Sequence, residues 1–100
     1  MWILNITFHP DDSVRQALLD YLRARLIPAI TDVGLLHSPV LMEIHIHNAP
    51  GFALQFDVTD EADLQEFMEK HWPGYRKAIW ERFGESVPFF ITRMKKISAK

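Results

Sequence analysis

Hydrophobic and polar residues alternate along three segments of the chain, and this period of two is typical of half-buried β-strands. The segments are residues 2–9, 42–47 and 52–58. Their shared apolar face holds Trp2, Leu4, Ile6, Phe8, Met42, Ile44, Ile46, Phe52, Leu54, Phe56 and Val58. Residues 87–97 are more mixed in pattern, and we predict that they form the last strand.

Two longer segments have apolar residues at the spacing of an amphipathic helix. They span residues 13–34 and 59–84, and each ends at a glycine. Polar side chains at the start of each segment are of the types that cap a first helical turn. Pro28 and Pro73 lie inside these segments, and we expect a kink at each because proline lacks an N–H donor and clashes with the preceding turn.

The predicted order of elements is β-α-β-β-α-β, without an internal linker or a low-complexity segment. This order is typical of the ferredoxin-like α+β fold, a four-stranded antiparallel sheet with both helices on one face. We therefore predict a single ferredoxin-like domain over residues 1–100. In this fold the first and third strands are neighbours, and one face of the sheet stays open.

Composition narrows the possible functions. The 100 residues are enough for one hydrophobic core, and they include no cysteine. A disulfide framework, a thiolate nucleophile and cysteine-ligated metal are therefore excluded, and we predict no cofactor. The 11 Lys and Arg residues nearly balance the 13 Asp and Glu residues. No signal peptide or membrane-spanning segment is recognisable, so we expect a cytoplasmic protein with no membrane partner.

The open face is predicted to collect the polar residues of the alternating segments. They are Asn5, Thr7, His9, Glu43, His45, His47, Gln55 and Asp57. An assumed register pairs Glu43 with Asp57, His45 with Gln55 and His47 with Ala53, which makes these side chains one contiguous polar surface.

Three interpretations of this surface compete. It can be a solvated sheet face, since antiparallel sheets often leave one side in water. It can be the interior of a homodimer in which two sheets stack and enclose a polar cavity, which is the interpretation that we favour. It can also be a ligand-binding or catalytic site.

His45 and His47 are two residues apart on the predicted strand and would point the same way. With Asp57, Glu43 or His9 as a third ligand, they could hold zinc or iron. Such a pair arises easily by chance in a chain with five histidines. We therefore predict no metal.

Glu43 and Asp57 would face each other in the assumed register. Like charges placed directly opposite are unfavourable, so one carboxyl could hold a proton for acid–base chemistry. Alternatively, the histidines or Arg93 neutralise this pair.

A nucleic-acid partner is not predicted. Residues 51–56 resemble part of the third-strand signature of RNA-recognition modules, but the leading basic residue is missing and Leu54 stands at a stacking position. Phe52 and Phe56 share the parity of the core, so the open face would be acidic and without aromatic rings.

The chain has three tryptophans, which is more than a small core readily buries. We assign Trp72 to the core. Trp2 and Trp80 are candidates for burial in a subunit interface.

Residues 3–7, 26–30, 71–76 and 81–84 resemble a family of short bacterial proteins, a domain of unknown function in the dimeric α+β-barrel group. The resemblance implies a ferredoxin-like fold and a homodimer formed through the sheet faces. It implies no catalytic residues, because the family has no established activity. The wider group includes cofactor-independent monooxygenases and haem-degrading enzymes, an analogy that does not confer function.

The favoured prediction is a small homodimer with a polar cavity, which is non-enzymatic or binds a small molecule. The alternative is a monooxygenase-like enzyme that uses His45 or His47 as a base, with Asp57 or Glu43 as its partner.

Overall fold

The alternating segments form one antiparallel sheet in the computed structural model, which describes residues 1–99. The strands are β1 (Trp2–Phe8), β2 (His37–Ile44), β3 (Gly51–Val58) and β4 (Phe89–Lys95). Their spatial order is β2-β3-β1-β4, so β1 and β3 are central and β2 and β4 are the edges. The predicted ferredoxin-like α+β topology is confirmed, including the pairing of the first strand with the third.

Each of the two predicted helices consists of two α-helical segments joined by a π-helical turn. The segments are α1 (Arg15–Tyr21) and α2 (Ile27–Val33), joined by Leu22–Leu26, and α3 (Glu61–Glu66) and α4 (Trp72–Phe83), joined by Phe67–His71.

The π-helical turns lie directly before the two prolines. The N–H of Ile27 donates to the carbonyl of Leu22, and the N–H of Trp72 donates to the carbonyl of Phe67, each five residues back. A proline ring clashes with the carbonyl four residues before it in a regular α-helix, and the wider π turn accommodates the ring. The irregularity at each proline is therefore a π-helical turn.

The two helix starts differ in how they are capped. Asp60 Oδ1 accepts a hydrogen bond of 2.9 Å from the N–H of Asp63 and caps α3 as expected. Before α1 the chain forms a 3₁₀ turn, Asp12–Val14, and no side chain caps the helix. The predicted capping of the first helix is therefore wrong.

Both helices cover the same face of the sheet and form the core with it. The strands contribute the predicted even-numbered residues Leu4, Ile6, Phe8, Phe52, Leu54, Phe56 and Val58. The helices contribute Leu18, Leu22, Leu26, Ile30, Leu64, Phe67, Trp72 and Ile79. Within residues 1–99, no helix is long and apolar enough to cross a membrane.

The predicted register of β2 is wrong. Met42 pairs with Ala53 and Glu43 pairs with Phe52, whereas the assumed register paired Glu43 with Asp57. The difference is an odd number of residues, so each β2 side chain lies on the face opposite to the predicted one. Glu43 therefore lies on the helix side of the sheet, while Met42 and Ile44 lie on the open face.

Two local features explain this register. β2 ends at Ile44, so residues 45–50 form the connection to β3 and their alternation is not that of a strand. The start of β2 has one extra residue between His37 and Val40, and Ser38 there has a positive φ of 54°. Such a bulge resets the alternation of side chains along the strand.

Candidate functional site

The open face of the sheet is a grid of side chains that alternate with the core along each strand. The register arranges them in three rows, Met42–Ala53–Thr7–Phe90, Val40–Gln55–Asn5–Thr92 and His37–Asp57–Ile3–Met94. We call Gln55, Asn5 and Thr92 the central polar row.

Asn5 lies in the middle of this grid with one unsatisfied polar atom. Its Nδ2 donates to Thr7 Oγ1 at 2.8 Å, and the residue is only 9% exposed. Its Oδ1 is buried and has no hydrogen-bond partner among the described residues. Rotating the amide by half a turn only exchanges which atom is unpaired. Such an unpaired atom costs about 1–3 kcal/mol, and because it is covered by its own neighbours, Asn5 would have to shift before a group from outside the chain could reach it.

Exposed apolar side chains surround the central polar row. Val40 and Met42 lie on the β2 edge, and Phe90 and Met94 lie on the β4 edge. Scattered exposed hydrophobics are common, but four of the eight large exposed ones among the described residues lie on this one sheet face, as at an interaction surface. The open face is therefore apolar at its margins and hydrogen-bonding at its centre.

The central strands place their predicted site residues on the open face. Asn5 and Thr7 on β1 and Gln55 and Asp57 on β3 share it, as their alternation predicted. His9 follows β1 at one end of the face. Its ring centroid is 6.2 Å from that of Phe90, and its Nδ1 is 3.4 Å from the carbonyl oxygen of Pro50.

Glu43, His45 and His47 do not join this group. Arg15 donates a hydrogen bond of 3.1 Å to Glu43 on the helix side of the sheet. His45 Nε2 lies 4.0 Å from Glu43 Oε1 on an exposed surface, and His47 lies in the connection after β2. The predicted contiguous surface of histidines and carboxylates is therefore wrong.

Because Glu43 lies on the helix side of the sheet, it is separated from Asp57. They lie on opposite faces of the sheet, so the prediction that they face each other, with one of them holding a proton, is wrong. The metal hypothesis also loses its geometry, because no three His, Asp or Glu residues in the described part of the chain are grouped to hold an ion.

The sequence pattern did not predict that β4 contributes side chains to the open face. Phe90, Thr92 and Met94 pair with Thr7, Asn5 and Ile3. The exposed ring of Phe90 also corrects the expectation of a face without aromatic groups. Adjacent residues of a strand point to opposite faces, so the sequence pair Phe89 and Phe90 indicated that both faces of β4 carry an apolar side chain.

A groove between α1 and the β2 edge was also missed. Its volume is about 780 Å³, and its apolar lining includes Leu19, Ile27, Leu41 and Phe52. The Arg15 guanidinium lies 4.5 Å from the centre of the Phe52 ring and also contacts Glu43. We call this the α1–β2 groove.

Neither candidate interface tryptophan lies on the open face. Trp2 is on the helix side, where Lys95 Nζ is 5.8 Å from its ring centre. Trp80 is 55% exposed on α4. Their burial by a partner subunit stays a prediction, and a sheet-to-sheet contact would not by itself produce it.

The topology and the open sheet face define a ferredoxin-like α+β domain, and solved structures share this fold. HapK from Hahella chejuensis is 13% identical over 100% of this chain and 96% of its own, with a TM-score of 0.73. An antibiotic biosynthesis monooxygenase is 11% identical over 98% of this chain and 100% of its own, with a TM-score of 0.71. A dimeric ferredoxin-like protein from an uncultured marine organism is 10% identical over 99% and 96%, with a TM-score of 0.72.

The chain belongs to the family described as Domain of unknown function (DUF4286), whose model matches residues 1–97. No functionally curated protein is detectably similar to it in sequence. At identities of 10–13%, the structural matches establish the fold alone.

Proposed function

We propose that the chain forms a homodimer through its open sheet faces and binds a small polar molecule between them. The observation that supports this most is the open face itself, where exposed apolar side chains at both margins flank the hydrogen-bonding groups of the central polar row. Cytoplasmic residence is part of the proposal.

A two-fold dimer is compatible with both the apolar margins and the central polar row of the open face. The apolar margins supply the area whose burial drives association, and stacked sheets lie about 10 Å apart. An amide is both donor and acceptor, so the half-buried Gln55 in the central polar row can make a self-complementary contact across the two-fold axis. The dimeric ferredoxin-like protein described above shows that this fold can self-associate.

The ligand between the sheets is expected to be small, polar and either neutral or cationic. The three rows contain amides and hydroxyls, one carboxylate, Asp57, and one imidazole, His37, but neither Lys nor Arg. An anion, including nucleic acid, would find no Lys or Arg there to pair with.

The dimer is tested by a charge placed on the open face. Phe90→Glu should reduce the particle from two chains to one in sedimentation velocity, because burying the carboxylate opposes pairing. Trp80→Glu is the matched control, since Phe90 and Trp80 are 54% and 55% exposed but lie on different surfaces. A dimer that survives Phe90→Glu, or a wild-type monomer, would contradict the proposal.

Ligand binding is tested by native mass spectrometry of the protein as purified from cells. The wild-type dimer should retain a molecule whose mass is lost on unfolding. Gln55→Leu, which removes a hydrogen-bonding side chain from the central polar row, should retain less of it while remaining a dimer. Equal retention by both proteins would place the ligand elsewhere.

A monooxygenase-like enzyme is the second candidate function. Glu43 lines the α1–β2 groove, and His45 Nε2 is 4.0 Å from its Oε1, a separation that one bridging water could span for proton transfer. The corresponding assay is oxygen uptake with 1,4-dihydroxynaphthalene, an easily deprotonated aromatic probe, measured as the rate above its spontaneous oxidation without protein. Glu43→Gln and His45→Ala should lose activity and His47→Ala should keep it; no uptake by the wild type would dismiss this candidate for that substrate class.

A further inference from the structure

A second concave surface lies on the outer side of α4, beside the start of β4. It has a volume of about 480 Å³ and is lined by Pro73, Arg76, Lys77, Trp80 and Phe89. We call it the Trp80 groove. Its volume is within the range of about 300–1,000 Å³ that is typical of small-molecule sites.

Two aromatic rings form the apolar part of the Trp80 groove. Phe89 is held in place, since its ring centroid is 6.0 Å from those of both Phe8 and Trp72. Trp80 is 55% exposed, whereas Trp72 in the same helix is 6% exposed. An exposed indole beside a fixed ring provides a flat surface on which another aromatic ring can stack.

The charges that line the groove are both positive. Lys77 forms an exposed pair with Glu81 at 3.8 Å, a type of contact that contributes little and leaves the ammonium available. Arg76 has no ion pair among the described residues, and no carboxylate lines this groove. Glu85 lies outside this groove, on the adjoining concave surface that also includes Trp80 and Phe89.

We propose that the Trp80 groove binds a planar aromatic anion, a ring system that bears a carboxylate or a phosphate. The ring would stack on Trp80 against Phe89, and the anionic group would accept hydrogen bonds from the Arg76 guanidinium, whose planar fork matches such groups. The groove lies on the helix side, so this site is independent of the open face and of the proposed dimer.

Naphthalene-2-carboxylate is the probe, and its neutral amide is the matched control ligand. The three tryptophan indole N–H signals of ¹⁵N-labelled protein report where each one binds, with the Trp80 signal assigned from Trp80→Phe. The carboxylate should shift the Trp80 signal saturably. The amide should bind about tenfold more weakly, because it forms no ion pair with Arg76.

Arg76→Gln should weaken binding of the carboxylate about tenfold and leave binding of the amide unchanged. Arg25→Gln, an exposed arginine on the other helix, should leave both unchanged. The proposal is overturned if the probe produces no saturable shift, if the amide binds as well as the carboxylate, or if Arg76→Gln has no effect. It is also overturned if the Trp80 signal moves with protein concentration in the absence of probe, since a second copy of the chain then covers the groove.

Discussion

Asn5 and Thr7 form the most buried polar contact on the open face. Their hydrogen bond of 2.8 Å joins two residues that are each less than a tenth exposed. Since Asn5 already has one unpaired atom, the loss of this bond would leave its whole amide unsatisfied.

Thr7→Val removes the hydroxyl and nearly preserves the shape of the side chain. It should lower the free energy of unfolding by about 1–3 kcal/mol, measured by urea denaturation at a protein concentration where the chain is monomeric. Thr31→Val is the control, because the Thr31 hydroxyl donates to the Ile27 carbonyl on an exposed helix surface and should contribute little. Equal losses for the two variants would contradict the described environment of Asn5.

Tyr75 links the two helices through a hydrogen bond of 3.3 Å from its hydroxyl to the carbonyl of Ala29. Burial raises the pKa of Tyr75 above its usual value of 10.0, and the negative charge of Asp32 raises it further. The folded state therefore favours the neutral phenol, so stability should be fully present below pH 10 and should fall as pH rises from there through the raised pKa.

Tyr75→Phe tests this pH dependence because it removes the titrating group. Between pH 8 and pH 11, the free energy of unfolding of the wild type should fall more steeply than that of the variant. Tyr21, whose pKa is also raised by burial, is present in both proteins and cancels in the comparison. Parallel pH profiles would show that Tyr75 does not contribute.

At the scale of elements, the period of the apolar residues predicted those strands and helices that bury one side in the core. β1, β3 and both helices each bury one side, so their apolar spacing has to match the strand or helix period, and the even-numbered core residues of β1 and β3 and the burial of Trp72 were predicted correctly. β2 is an edge strand with apolar side chains on both faces, Leu41 towards the core and Val40 and Met42 towards the open face. Alternation could not determine which set points inward.

The same ambiguity explains what was missed in the candidate site. Glu43 can lie on the helix side because Arg15 from α1 reaches it, and a contact between residues 28 positions apart leaves no local pattern. His45 and His47 continue the alternation of β2, but the strand ends before them. A charged side chain such as Glu43 that points inward on an edge strand also opposes unwanted strand pairing. The sequence pattern cannot distinguish this role from that of a functional-site residue.

Gly51 marks the point where β3 passes closest to the end of β1. A Cβ atom at this position would collide with the backbone carbonyl oxygen of Phe8. Because that oxygen belongs to the sheet, Gly51→Ala should cost about 1–3 kcal/mol of unfolding free energy.

Gly74→Ala is the matched control for Gly51→Ala. Gly74 lies within α4, and a Cβ there meets no atom within 4 Å. This variant should stabilise the protein by about 0.5–1 kcal/mol, because alanine favours the helix over glycine. Thermal unfolding of both variants should give shifts of opposite sign, and a neutral Gly51→Ala would show that the strands are farther apart there.

At the scale of the whole molecule, the two sides of the sheet differ in how they are completed. The helices bury the even-numbered side chains of β1 and β3. The other side has four exposed apolar residues at its margins and the central polar row between them. Pairing of two such faces would bury the apolar margins and bring the polar rows together, and this is the central claim.

Methionine methyl groups report on this claim without any substitution. Met42 and Met94 lie on opposite margins of the open face and are both 38% exposed in the single chain, whereas Met1 is 54% exposed outside the three rows of that face. With ¹³C-methyl methionine and a soluble paramagnetic agent, the relaxation of each methyl signal measures its access to solvent. In the proposed dimer, the Met42 and Met94 signals should be protected from the agent and should lose that protection on dilution. The Met1 signal should stay accessible at every concentration. Accessibilities of Met42 and Met94 that stay the same at every protein concentration and remain at the level of the single chain would contradict the pairing of the sheet faces.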